Sequence, residues 1–151
     1  MTEFRSRNPN YQVETRASFA AQTMMSELGV EMEDVAPGIV ALSMPYNPRF
    51  CQQHGFLHGG VSASVLDTAC GFAAFTLMPP DTGVLTVEYK VSMLSPAKGT
   101  HFRFVGKVTK PGRTLIFTEG QAFAITDGTE KLISILTATM MCVADREDLK
   151  G

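Results

Sequence analysis

Charge and cysteine are both scarce in this chain. Of its 151 residues only 19% are charged, and 13 basic side chains set against 15 acidic ones leave a net charge of -2. No basic run and no zinc-finger, helix-turn-helix or RNA-recognition pattern breaks that balance, so nucleic acid is not an expected partner. The three cysteines, Cys51, Cys70 and Cys142, are odd in number and contain no CxxC pairing. They suggest neither a disulfide framework nor a zinc knuckle, and a reducing cytoplasm is the expected setting. An HExxH motif is also missing: His54 and His58 are four apart with Gly55 between them, and no carboxylate is suitably spaced. No metal is therefore expected. Walker and dinucleotide glycine motifs are absent too, so no cofactor is expected. The opening stretch MTEFRSRNPNYQVETR has no apolar region of the kind a secretory signal carries. The one apolar run long enough to test as a membrane span, residues 58 to 78, holds Asp67, serines, threonines and a glycine pair and lacks basic anchors. No membrane partner is expected.

What remains is 44% hydrophobic, in a length that suits one domain over residues 1–151 with a sizeable core and a hint of a buried interface. Residues 1–14 read as a flexible N-terminal segment and residues 17–28 as an accessory amphipathic helix ending at Gly29. Residues 30–35 and 38–44 read as strands hinged at Pro37 and Gly38, followed by a loop that runs into QQHGFLHGG. From Gly59 to about Leu77 apolar and small residues lie on every side, and Pro79-Pro80 stops the run. A helix without a polar stripe is a buried one. Strands are expected over 84–94, 101–109, 114–125 and 132–143, joined by short turns as a four-stranded meander. In the first of these, Leu85, Val87, Tyr89, Val91 and Met93 alternate onto one dry face, away from Thr86, Glu88 and Lys90. The expected fold class is α+β: a curved antiparallel sheet of about five to six strands wrapped around one long buried helix.

Asp67 is the only formally charged residue between His58 and Met78. Burying a carboxylate costs several kcal/mol unless it is paired or hydrogen-bonded. Its neighbours one turn away on the helix are Ala63, Ser64, Cys70 and Gly71, all small, so the acid stands in a furrow that another group can approach. Two readings are open: tight packing with a structural hydrogen bond, or a reactive carboxylate. Gly59 and Gly60 likewise allow either a tight entry turn or unobstructed N–H groups at a helix N-terminus, the electrostatics of an oxyanion hole. Gly59 and Asp67 are eight residues apart, about 12 Å along a helix at about 1.5 Å per residue. One substrate carbonyl cannot touch both within one subunit. If both act on one substrate, they come from two copies related by a two-fold axis.

The run HGFLHGGVSASVLDTACG, followed by VSMLSPAKG and a GRTL turn, closely resembles hotdog-fold acyl-CoA thioesterases of the 4-hydroxybenzoyl-CoA and phenylacetate-pathway kind, over about residues 50 to 142. The resemblance implies a helix lying in a curved sheet, and a homodimer whose two sheets join into one, with a homotetramer common. It implies acyl-CoA as substrate, Asp67 as general base or nucleophile, and the Gly59 N–H of the other subunit polarising the thioester carbonyl. Gln52 falls where relatives assist that carbonyl, and Thr86 where some place the water; the strand's alternation turns Thr86 away from the site unless a bulge or sheet edge intervenes. His58, Gly60, His54 and Ser64 are further candidates around the substrate. Arg113, Lys110 and Lys98, in turns, are candidates for the coenzyme A phosphates. Cys70 reads as inert packing. Phe50, Phe56, Phe72, Phe75 and Met78 line either an aromatic or medium-chain acyl pocket or ordinary core. The competing function is a non-catalytic acyl-CoA binder or sensor with the same pocket; a hydratase of this fold needs a His with Asp or Glu in an arrangement not seen here.

Overall fold

The structure, a computed structural model, describes residues 3–151. Two short helices, α1 (Tyr11–Ala20) and α2 (Thr23–Glu27), lead into strands β1 (Glu31–Ala36) and β2 (Ile39–Pro45). A 3-10 turn (Pro48–Phe50) precedes the long helix α3 (Gly59–Phe75). Strands β3 (Gly83–Met93), β4 (His101–Lys110), β5 (Leu115–Thr126) and β6 (Thr129–Val143) follow.

α3 starts where His58 caps it, the ring Nδ1 accepting the Gly60 N–H at 2.9 Å. It crosses the concave face of the sheet so closely at Gly106 that any side chain there would run into the Ala69 backbone. Phe102, Phe104, Leu42, Leu66, Ile116 and Met140 are fully buried between helix and sheet. This is the packing that an all-round apolar helix requires. Among the described residues, no helix is long and apolar enough to cross a membrane.

The six strands form one antiparallel sheet in the order β1-β2-β4-β5-β6-β3. The expected meander is correct for β4, β5 and β6, but β3 does not pair with β4. It lies beyond β6, at the opposite edge. Residues 94–100 make the crossing, about 14 Å past β6 and β5 at about 4.8 Å per strand, well within the reach of seven residues. The crossing is pinned by Leu94 N–H to Ile133 O at 2.8 Å, Leu57 N–H to Ala97 O at 3.0 Å and Thr100 N–H to Ile125 O at 2.9 Å.

β3 also corrects the expected dry face. The pairing Thr86 to Met140 is followed by Glu88 to Thr139, leaving Val87 as a bulge. A bulge reverses the alternation beyond it. Leu85 therefore shares the convex face with Met141 and Leu115, while Thr86 points with Tyr89, Val91 and Met93 to the concave face.

At the N-terminus the structure departs from both expectations. Helix begins at Tyr11, inside the segment read as flexible, whose first two residues lie outside the described residues. The helix read as 17–28 is broken at Gln22, which is extended (ψ 102°). α1 is tied down by Arg16, whose guanidinium donates to Met32 O at 2.9 Å and Glu33 O at 3.0 Å, contacts that composition does not reveal.

Candidate active site

Asp67 stands half-buried midway along α3, and Thr86 Oγ1 donates to its Oδ1 at 2.8 Å. Thr86 is available only because the Val87 bulge turns it onto the concave side at the sheet edge. Burial pushes the Asp67 carboxyl above the ordinary aspartate value, and the Thr86 hydrogen bond opposes that rise. Beside the pair lies a cavity of about 90 Å³, lined also by Gln22, Thr68, Gly71, Phe72 and Val84. A Cβ placed on Gly71 would meet nothing within 4 Å, so the space one turn beyond Asp67 is open.

The second centre is the N-terminus of α3. Its first N–H groups are accounted for one by one: Gly60 donates to His58 Nδ1, and Val61 and Ser62 donate to His58 O at 3.0 and 3.1 Å. The Gly59 N–H has no acceptor among the described residues. It is thus a free donor at the positive end of the helix dipole. The Met93 methyl packs where a Gly59 side chain would go, 3.2 Å from it. Gln52 faces the same region with its amide orientation fixed, because its Oε1 accepts the His54 N–H and leaves the NH₂ as the free end. These groups border a cavity of about 500 Å³, lined chiefly by carbon from Phe56, Met93, Leu94 and Ile133, with Ser62 and Ser134 among its walls.

The two cavities have no lining residue in common. The structure thus keeps Asp67 with Thr86, and Gly59 with Gln52, as two separate groups. β3 reaches one cavity with Val84 and Thr86 and the other with Met93; its outer edge has no strand partner among the described residues, and it exposes Val87 (52%), Tyr89 and Met93 (50%). A long edge strand with apolar side chains and no proline is a surface built to pair with another strand.

The remaining sequence candidates divide. His58 caps the helix, which places the proton of its neutral ring on Nε2. Gly60 has its N–H consumed by that cap. Ser64 Oγ donates to Gly60 O at 2.8 Å and lines neither cavity. His54 is exposed and acts through its backbone on Gln52. Lys110 and Arg113 sit exposed at the β4 to β5 turn and line neither cavity; Lys98 is exposed in the crossing segment, next to the cavity residue Ala97. Phe56 and Phe72 each line a cavity, whereas Phe75 and Met78 belong to the core and Phe50 packs on it. Cys70 is fully buried, and burial pushes its thiol up to about 12, which removes it as a nucleophile. Among the described residues no group of three potential metal ligands is found. Sequence reasoning placed Gly71 in the furrow beside Asp67, where the space is open, but missed Ser62 and Ser134. Ser134 faces the cavity in phase with Leu136, Ala138 and Met140, and the bulge at Ile133 adds that residue to the same wall.

The sequence profile of the Thioesterase superfamily matches residues 54–131. A thioesterase family protein from Silicibacter pomeroyi has the same fold, with a TM-score of 0.88 and 48% identity over 89% of this chain and 98% of that one. A candidate esterase of Halobacterium salinarum is 36% identical over 50% of this chain, and the chain spans only 54% of that relative's length. The 1,4-dihydroxy-2-naphthoyl-CoA hydrolase of Listeria monocytogenes is 26% identical over 78% of this chain and 93% of its own. With a helix laid in a curved antiparallel sheet and a profile match across the segment that carries Gly59 and Asp67, the chain belongs to the thioesterase superfamily of hotdog-fold thioester hydrolases.

Proposed function

We propose that this protein hydrolyses acyl-CoA thioesters, of small aromatic or medium-chain acyl groups, in two equivalent sites of a homodimer. The carrying observation is the separation of the two groups: a carboxylate held by Thr86 in one cavity, and a free helix N–H in another, at the two ends of an edge strand that has no outer partner among the described residues. Pairing of β3 with β3 of a second copy across a two-fold axis brings each Asp67 toward the partner's Gly59. Two such dimers associating would give the tetramer that the resemblance implies. The three unpaired cysteines suit a cytoplasmic setting.

In this reading the thioester oxygen accepts from the Gly59 N–H and the Gln52 amide of one subunit, so the carbonyl carbon becomes electrophilic. Asp67 of the other subunit takes a proton from water while the water oxygen bonds to that carbon. Collapse of the tetrahedral intermediate breaks the C–S bond, and the thiolate, a good leaving group, takes up the proton. Thr86 holds one carboxylate oxygen and leaves the other for water. The small cavity at Gly71, about three water volumes at about 30 Å³ each, is the place for that water. The products are a carboxylic acid and coenzyme A, and no cofactor enters.

A binder without chemistry is the competing function. Release of free thiol from a panel of short, long and aryl acyl-CoAs, wild type against Asp67→Asn, separates them: turnover that vanishes in the variant while the thioester still binds supports hydrolysis, and no thiol release by wild type rejects it.

A further inference from the structure

Ser62 and Ser134 are each only 1% exposed, and their hydroxyl oxygens lie 2.9 Å apart in the wall of the Gly59 cavity. The contact joins α3 to β6 and uses one of the two O–H protons. Neither oxygen has another hydrogen-bond partner among the described residues. One hydroxyl of the pair is thus a donor without an acceptor, facing a space otherwise lined mostly by carbon. Uncompensated polar groups in such surroundings are costly, and a native fold keeps few of them. The bulge at Ile133 brings that side chain to the inner face beside Ser134, which already faces inward in phase with Leu136, Ala138 and Met140, so carbon surrounds the hydroxyl pair.

We propose that the Ser62 and Ser134 pair reads an oxygen atom on the acyl group of the substrate, and so selects hydroxy- or oxo-substituted acyl thioesters over unsubstituted ones. The inference rests on the thioesterase reading above and deepens it. The carbonyl is fixed at the Gly59 N–H, and Ser62 comes three residues later, about 4.5 Å further along the helix. The matching oxygen therefore sits about two to four carbons beyond the carbonyl carbon. The acyl arm, not the coenzyme arm, occupies this cavity, because its walls at Phe56, Leu94 and Ile133 are apolar and the charged coenzyme must end in water. An aliphatic acyl group would bury the free hydroxyl against carbon; an oxygen at that position gives it an acceptor. Neither serine takes part in the bond-breaking step.

The test compares kcat/KM for butyryl-CoA with that for 3-hydroxybutyryl-CoA and 4-hydroxybutyryl-CoA, in wild type and in the double variant Ser62→Ala/Ser134→Ala, with thermal melts to confirm folding. Wild type is expected to prefer one of the hydroxylated thioesters by about tenfold, the scale of one neutral hydrogen bond. The double variant, which leaves no hydroxyl at the site, is expected to bring that ratio to about one, mainly by improving butyryl-CoA, which a merely structural pair would not do. Equal ratios in the two proteins overturn the assignment. A uniform rise in KM for every thioester, with the ratio unchanged, also overturns it, since the pair then holds the coenzyme arm or only the fold. If wild type releases no thiol from any of them, the hydrolase reading fails by itself. The selectivity is then read from calorimetric affinities for the same three thioesters, with the same expected ratio and the same overturning result.

Discussion

Thr86 Oγ1 meets Asp67 Oδ1 at 2.8 Å because one residue, Val87, is left out of the β3 ladder. Without that bulge Thr86 would stand on the convex face beside Glu88, whose carboxylate accepts there from Thr139 at 2.8 Å. The bulge thus equips the only charged group of α3 with its hydrogen-bond donor.

Asp67→Asn is expected to lower turnover by at least about a hundredfold while leaving acyl-CoA binding in place, the scale of a lost general base. It is also expected to raise the melting temperature at neutral pH. The sign follows from burial: the folded protein holds the Asp67 proton more tightly than the unfolded chain does, so the ionised acid destabilises the fold once pH rises through its raised folded value. The gain in the variant should shrink toward zero as pH falls below the ordinary aspartate range. Parallel melts and thiol-release assays across pH check both effects, and a variant less stable than wild type at pH 7 contradicts the burial argument.

Thr86→Val removes the hydrogen bond that favours the carboxylate, so the Asp67 value rises further. The acidic limb of the kcat/KM profile, which reports the base in the free enzyme, should move to higher pH. An unmoved limb argues that the hydroxyl does not act on this carboxylate.

Gly71→Ala is expected to stabilise the fold and impair the reaction. The added methyl meets nothing within 4 Å, and exchanging Gly for Ala inside a helix is worth about 0.5–1 kcal/mol. Yet it fills space beside Asp67 assigned to the attacking water, so kcat should fall with little change in KM. Denaturant unfolding and steady-state kinetics on the same preparation measure the two effects.

Tyr89→Asp places a charge on the exposed edge strand. In a two-fold pairing each charge faces its own copy's strand, so association weakens. Sedimentation velocity should show monomers, and specific activity should fall in proportion to the dimer lost.

Much of this site was legible in the sequence. Asp67 stands out as a lone acid in an uncharged, small-residue helix, and Gly59 as part of the glycine pair at the helix start, because both candidates rest on local chemistry. The eight-residue spacing implies two copies if both act on one substrate. The position of β3 was not legible: turn signals mark where strands begin and end, and a seven-residue connection serves a neighbouring strand or a crossing equally well. Nor were the bulges at Val87 and Ile133. Each turns on the register of a partner strand: the first decides that Thr86 faces inward, the second that Ile133 does. The break at Gln22 and the anchoring of α1 by Arg16 are tertiary in the same sense.

The most direct test of a site shared between subunits uses two inactive variants. Gly59→Pro deletes the N–H at the first helical position, where proline is tolerated and where His58 already has the extended backbone (φ -60°, ψ 133°) that a following proline requires. Asp67→Asn deletes the base. Each alone should be nearly inactive. Mixed, unfolded and refolded together in equal amounts, they should recover about a quarter of wild-type activity, because half the dimers are hybrids and each hybrid carries one intact pairing of Asp67 with the partner's Gly59. Recovery to that level is the predicted result; a mixture no more active than its two components would contradict the shared site.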